Sequence, residues 1–147
     1  MHNLIMNSHF KTGSDHEPTF FINKNVTYDL PYINNYRTCS ITQTIGKHGF
    51  EEYNIPIPIY GGNNIKWGYM IRAIDKCRIL LQACFYNNEN TLIDKQQFDI
   101  ACLVNSNFSR QMVKFKAPCN AQSVKLSILF EGDTTACTFY APLAYYC

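Results

Sequence analysis

Arg72, Gln82 and Tyr86 are the residues of this chain whose types best suit a definable chemistry. A guanidinium and a primary amide present planar arrays of hydrogen-bonding groups, and a phenol presents an apolar face with a polar tip. Such a set fits a polyhydroxylated ligand: the ring takes a C–H face and the planar groups take the hydroxyls. Lys66, Met70 and Lys114 share the same outward phase and would border the site. Read without a ligand, these residues form a solvated sheet face, or a subunit contact in which Tyr, Met and Arg are favoured.

Catalytic chemistry finds less to use. Glycoside hydrolysis needs two carboxylates held about 5–10 Å apart across a cleft. Glu51 and Glu52 are adjacent, so on a strand they point to opposite faces, and they read as surface carboxylates. Asp94 and Asp99 lie in the weakest strand pattern. His2, His9, His16 and His48 show neither H-x-x-x-H nor H-E-x-x-H spacing, which argues against a metal centre. The seven cysteines are odd in number and contain no C-x-x-C. They read either as buried thiols acting as small hydrophobes or as one or two disulfides of an exported protein. The chain is therefore expected not to be an enzyme, with no catalytic and no metal residue.

The elements that must position the candidate residues are strands. Ile65, Trp67, Tyr69, Ile71 and Ala73 alternate with Lys66, Gly68, Met70 and Arg72. Ile79, Leu81, Ala83 and Phe85 alternate with Leu80, Gln82, Cys84 and Tyr86. Val124, Leu126, Ile128 and Phe130 form a third apolar row. Period-two patterning buries one face and leaves the other wetter, which places Trp67 in the core. Further strands are expected at 4–10, 20–28, 36–44, 50–59, 91–100 and 135–145. Pro56 and Pro58 put the fourth of these on a sheet edge or a bulge, because proline cannot donate to the ladder. Tyr53, Tyr60, Tyr145 and Tyr146 are candidates for an edge or loop site.

No apolar stripe of helical period reaches ten residues, so the fold class is all-β, an antiparallel sandwich or jelly roll. The 147 residues form a single domain, 1–147. With 46% hydrophobic and 16% charged residues, the composition is that of a folded chain and argues against disorder. The net charge of +2 and the lack of a basic run give a nucleic-acid role no support. No apolar run approaches the roughly 20 residues of a membrane span. No signal peptide is visible after Met1, and targeting stays open.

Four segments carry a family resemblance: NLIMNSHFKTG from Asn3, YNIPIPIYGGNNIKWGYMIRA from Tyr53, RILLQACFYNNEN from Arg78, and MVKFKAPCNAQSVKLSILFEG from Met112. In order and spacing they resemble carbohydrate-binding-module-like β-sandwiches, the galactose-binding-like jelly rolls. The first segment resembles the opening strand of these modules, and CTFYAPLAYY from Cys137 their closing strand. The resemblance implies non-catalytic binding of an oligo- or polysaccharide, with Arg72, Gln82, Tyr86, Lys66 and Lys114 as ligand-binding residues. Because the domain starts at Met1, it looks nearer to amino-terminal domains of bacterial surface or spore-surface proteins than to modules attached to hydrolases. The alternatives are a self-associating assembly domain without a sugar ligand and, more distantly, a small hydrolase. Many relatives hold a structural calcium through acidic residues. At the matching positions this chain has Lys11, Ala141 and Pro142, so the calcium site is expected to be lost and no cofactor is implied.

Overall fold

Burial at every second residue organises the molecule, as the alternation requires. The computed structural model describes residues 2–12, 18–33, 36–42, 48–75, 78–132 and 136–147. Gly13, His16, Gly46 and Cys77 lie outside that set. The strands are β1 (Phe21–Lys24), β2 (Thr27–Ile33), β3 (Tyr36–Thr42), β4 (Gly49–Pro58) and β5 (Asn64–Ala73). They are followed by β6 (Arg78–Tyr86), β7 (Leu92–Asp99), β8 (Ser109–Lys116), β9 (Ser123–Glu131) and β10 (Ala136–Tyr146). One 3-10 turn, Ala101–Leu103, precedes β8.

These strands form two antiparallel five-stranded sheets. The first has the order β1-β4-β9-β6-β7 and the second β2-β3-β10-β5-β8. Between them lie the predicted rows: Ile65, Trp67, Tyr69, Ile71 and Ala73 from the second sheet, and Ile79, Leu81, Ala83, Phe85, Val124, Leu126, Ile128 and Phe130 from the first. Trp67 is fully buried, and its indole N–H donates to the Ser127 carbonyl across the sandwich at 3.1 Å. Burying one such large side chain contributes about 1.5–3 kcal/mol.

Three expectations change. Residues 4–10 are not a strand. Asn7 and Phe10 have φ of 60° and 57°, which breaks extended backbone. The Asn7 amide turns onto its own neighbourhood, accepting from Lys11 N–H and donating to the carbonyls of Lys11 and Thr19. The segment still runs beside β10: Leu4 N–H donates to Ala144 O, and the Asn3 side chain bridges Ile5, Pro142 and Ala144. Secondly, the strand read over 20–28 divides at Asn25, whose φ is 57°. There the chain leaves the first sheet as β1 and enters the second as β2. Thirdly, Glu51 is not on the surface but is wholly buried in the core.

The two prolines sit where their missing N–H groups are harmless. Pairing of β1 with β4 ends at Tyr53, and β4 shifts register against β9 between Tyr53 and Ile57. Gly68 has a stricter role, since a Cβ there would lie 1.8 Å from the Gln111 carbonyl of β8. Only glycine permits β5 and β8 to approach this closely.

Candidate functional site: a polar row across the first sheet

The register of the first sheet sets five residues in one line across its outer face. Ile22 of β1 opposes Glu52 of β4, Glu52 opposes Ser127 of β9, Ser127 opposes Gln82 of β6, and Gln82 opposes Gln97 of β7. Hydrogen bonds join the central members. Gln97 Nε2 donates to Gln82 Oε1 at 2.6 Å, and Gln82 Nε2 donates to Ser127 Oγ at 3.1 Å. The next line carries Lys125, Cys84 and Lys95 on β9, β6 and β7. Tyr86 closes β6, with the Lys125 ammonium 5.8 Å from its ring centroid.

Although they point outward, the central residues are nearly inaccessible: Gln82 is 9% exposed, Cys84 8% and Ser127 4%. Short side chains form the floor, and longer neighbours such as Lys125, Lys95 and Gln97 stand around it. The floor behaves as a partly dry, electrically connected surface. Burial raises the Glu52 carboxyl above its usual value, opposed by Lys125. Burial and then Glu52 raise the Cys84 thiol, while Lys95 and Lys125 pull it down. Burial also raises the Tyr86 phenol, with Cys84 and Glu52 adding to the effect. Beyond Tyr86 lies a hollow of about 330 Å³ lined by Asn87, Asn88, Glu89, Cys119, Asn120 and Gln122. Ring, amides, carboxylate and ammonium thus occur on one continuous strip.

Of the predicted site residues, Gln82 and Tyr86 fall on this strip. Arg72, Lys66 and Lys114 do not. They project from the outer face of the second sheet, on the opposite side of the sandwich. Consecutive strands β5 and β6 belong to different sheets, so "outward" reverses between them. Arg72 lies over the Phe108 ring at 4.5 Å, and Lys66 opposes Lys114. Glu52, Ser127, Gln97, Lys95 and Lys125 were not anticipated. The opposite phase of Glu51 and Glu52 was the signal that would have found Glu52.

The other tyrosines separate. Tyr53 is core, and its hydroxyl accepts from Met6 N–H. Tyr60 and Tyr146 share an edge hollow of about 220 Å³ with Pro58, Ile59 and Asn63, and the Tyr146 hydroxyl donates to Pro58 O. Tyr145 and Tyr146 line a second hollow with His2 and Leu4.

Glu51 reaches inward from β4 and joins the sheets. Tyr69 Oη donates to its Oε1 at 2.6 Å, and Tyr28 Oη and Cys39 Sγ donate to its Oε2 at 2.9 and 3.3 Å. Loss of water drives its carboxyl up to about 7, against the lowering effect of these three donors. Cys39 and Cys84 are buried free thiols, Cys137 is a buried cysteine, and Cys102, Cys119 and Cys147 are exposed free thiols.

The residues at the calcium positions do not fit a calcium ion. The Ala141 carbonyl accepts from the Arg110 guanidinium and the Pro142 carbonyl from the Asn3 amide. Lys11 is exposed and brings a cation. Among the described residues no cluster of three His, Cys, Asp or Glu side chains could hold a metal. No helix there is long and apolar enough to cross a membrane.

Comparison with solved structures defines the architecture. A family 16 carbohydrate-binding module superposes with a TM-score of 0.63 at 14% identity, covering 97% of this chain and 99% of its own. The fold is that of a carbohydrate-binding-module-like β-sandwich. TmCBM61 in complex with β-1,4-galactotriose gives 0.61 at 10% identity, over 99% of each chain. The enzymatically active domain of bacteriophage CBA120 tailspike protein 4 gives 0.70 at 13% identity and covers 99% of this chain. The sandwich spans only 21% of that tailspike chain. No protein-family model and no curated protein matches the sequence.

Proposed function

We propose that the chain is a non-catalytic carbohydrate-binding module of a bacterial surface or spore-surface protein, and that it takes a sugar chain along the outer face of the first sheet. The observation that carries this reading is the row Glu52–Ser127–Gln82–Gln97, on the sheet face that also carries Tyr86 four residues along β6 from Gln82. Gln97 and Gln82 hold each other and Ser127, so their remaining donors and acceptors are fixed in direction before a ligand arrives. Tyr86 supplies a stacking edge, and Glu52 and Lys125 offer an acceptor and a donor to hydroxyls. The fold shared with carbohydrate-binding modules supports the reading by analogy. Non-catalytic action is supported by the carboxylates: Glu52 is the one acid in the central row, and both oxygens of Glu51 are engaged in the core.

Glycan-array screening followed by calorimetry tests the proposal. A neutral oligosaccharide is expected to bind, and Gln82→Ala with Tyr86→Ala to weaken it at least about ten-fold. Unchanged affinity in that double variant refutes the site.

A second reading, self-association, is favoured by one feature. β7 is an edge strand of the first sheet, and Leu92 and Phe98 on it are each 50% exposed. An open edge with apolar side chains is a template for pairing with another copy.

A further inference from the structure

The second sheet gathers cations that the sequence disperses. β10, β5 and β8 are neighbours, and none of the three contains an acidic residue. Lys66 and Arg72 project outward from β5, and Arg110, Lys114 and Lys116 from β8. In register, Lys66 faces Lys114, Asn64 faces Lys116, and Arg110 faces Met70. Among the described residues the ion pairs are those of Arg78 with Asp99 and Glu131, so none of these five cations is paired there. Asp29, on the far strand β2, is held by the hydroxyls of Thr38 and Ser40.

Two of the five are already positioned. The Arg72 guanidinium rests on the Phe108 ring at 4.5 Å, and Arg110 donates to the Ala141 carbonyl at 2.7 Å. Arg72 also borders a hollow of about 240 Å³, to which Ser106 and Thr138 contribute hydroxyls. The Thr138 hydroxyl is taken up by Ser40, whose own proton goes to Asp29, so the donors facing the hollow are the fixed guanidinium and the Ser106 hydroxyl, a pair that suits a carboxylate.

From this we propose that the outer face of β5 and β8 is a second binding surface, for a linear polysaccharide bearing carboxylates. One uronate enters the hollow at Arg72, and the chain runs over Arg110 to the Lys66–Lys114 pair. Six residues of strand separate Lys66 from Arg72, about 20 Å at roughly 3.3 Å per residue. Four of the five cations fall within that length, Lys116 lying beyond it opposite Asn64, and they form a sparser array than one phosphate per about 3.4 Å of a nucleic-acid strand. Trp67, Tyr69 and Phe115 of β5 and β8 point into the core, Tyr140 of β10 is buried, and the Phe108 ring carries the Arg72 guanidinium on its face, which leaves little open ring for base stacking. Both features favour a polyuronate over a nucleic acid.

The surface lies on the opposite side of the molecule from Gln82 and Tyr86, so it stands or falls independently of neutral sugar binding. Affinity electrophoresis in polygalacturonate, in its fully methyl-esterified form, and with single-stranded DNA tests it directly. Retardation is expected in polygalacturonate alone, lessening as salt rises. Lys66→Gln with Lys114→Gln, and separately Arg72→Gln, should each weaken binding about ten-fold. The charge-retaining pair Lys66→Arg with Lys114→Arg should bind as the parent does, as should Lys24→Gln on the first sheet. Equal binding of the esterified polymer, tighter binding of DNA, no retardation, or loss with Lys24→Gln would each overturn the proposal.

Discussion

Glu51 makes the stability of this sandwich depend on pH in a direction opposite to that of most acidic residues. Its carboxyl rises from 4.5 to about 7 because it is fully buried, and Tyr69, Tyr28 and Cys39 offset only part of that cost. The folded state therefore holds the proton more tightly than the unfolded chain. Between pH 4.5 and 7 the native protein carries a proton that the unfolded chain has lost, so stability falls as pH rises through that window. Below it the stabilisation is complete, and above about 7 it is gone. A rise from 4.5 to about 7 corresponds to ~3 kcal/mol at about 1.4 kcal/mol per pH unit. Trp67, the sole tryptophan and fully buried, reports unfolding by its fluorescence. With a urea slope of about 1–3 kcal/mol/M, the midpoint should drop by roughly 1–3 M between pH 4.5 and 8. Glu51→Gln keeps the shape and removes the titration. Subtracting its profile from the parent's cancels every other titrating group, leaving a difference that falls by ~3 kcal/mol across the window. Parallel profiles for the two proteins would refute the assignment.

Other consequences are simpler to measure. Gly68→Ala drives a methyl into the Gln111 carbonyl, 1.8 Å from the ideal Cβ position, and should cost at least about 3 kcal/mol in chemical unfolding; a loss under about 1 kcal/mol would mean that β5 and β8 are further apart. Under the self-association reading, light scattering gives a mass that rises with concentration, and Phe98→Lys on the β7 edge returns it to that of a monomer. A concentration-independent monomer removes that reading.

The alternation in β5, β6 and β9 was legible because period-two burial is local, and Trp67 lies where its phase placed it. The layer to which each strand belongs was not, since it depends on partners far away in the chain. Gln82 meets Ser127 across 45 residues, whereas Arg72, only ten residues from Gln82, ends on the other side of the molecule. Period two distinguishes inside from outside without saying which outside. The opening segment misled for a different reason. Its composition reads as extended, but Asn7 and Phe10 adopt positive φ, and asparagine is among the few residues that do so readily. Glu51 was read as a surface acid because burial of a carboxylate requires three donors from β2, β3 and β5, none of them nearby in sequence.

At the positions where the resemblance implies calcium ligands, the backbone is otherwise engaged. Carbonyls at Ala141 and Pro142 that face N–H donors need no cation, and the Asn3 and Arg110 side chains tie the opening segment and β8 to the bulged part of β10. Hydrogen bonds from a charged donor contribute about 1.5–3 kcal/mol, enough to fix such a corner.

Amide chemical-shift mapping with the oligosaccharide selected by the glycan array tests the central claim most directly. Shifts confined to Glu52, Gln82, Cys84, Tyr86, Gln97, Lys125 and Ser127 are the expected result. Shifts confined to the second sheet, or none at saturating ligand, would contradict it.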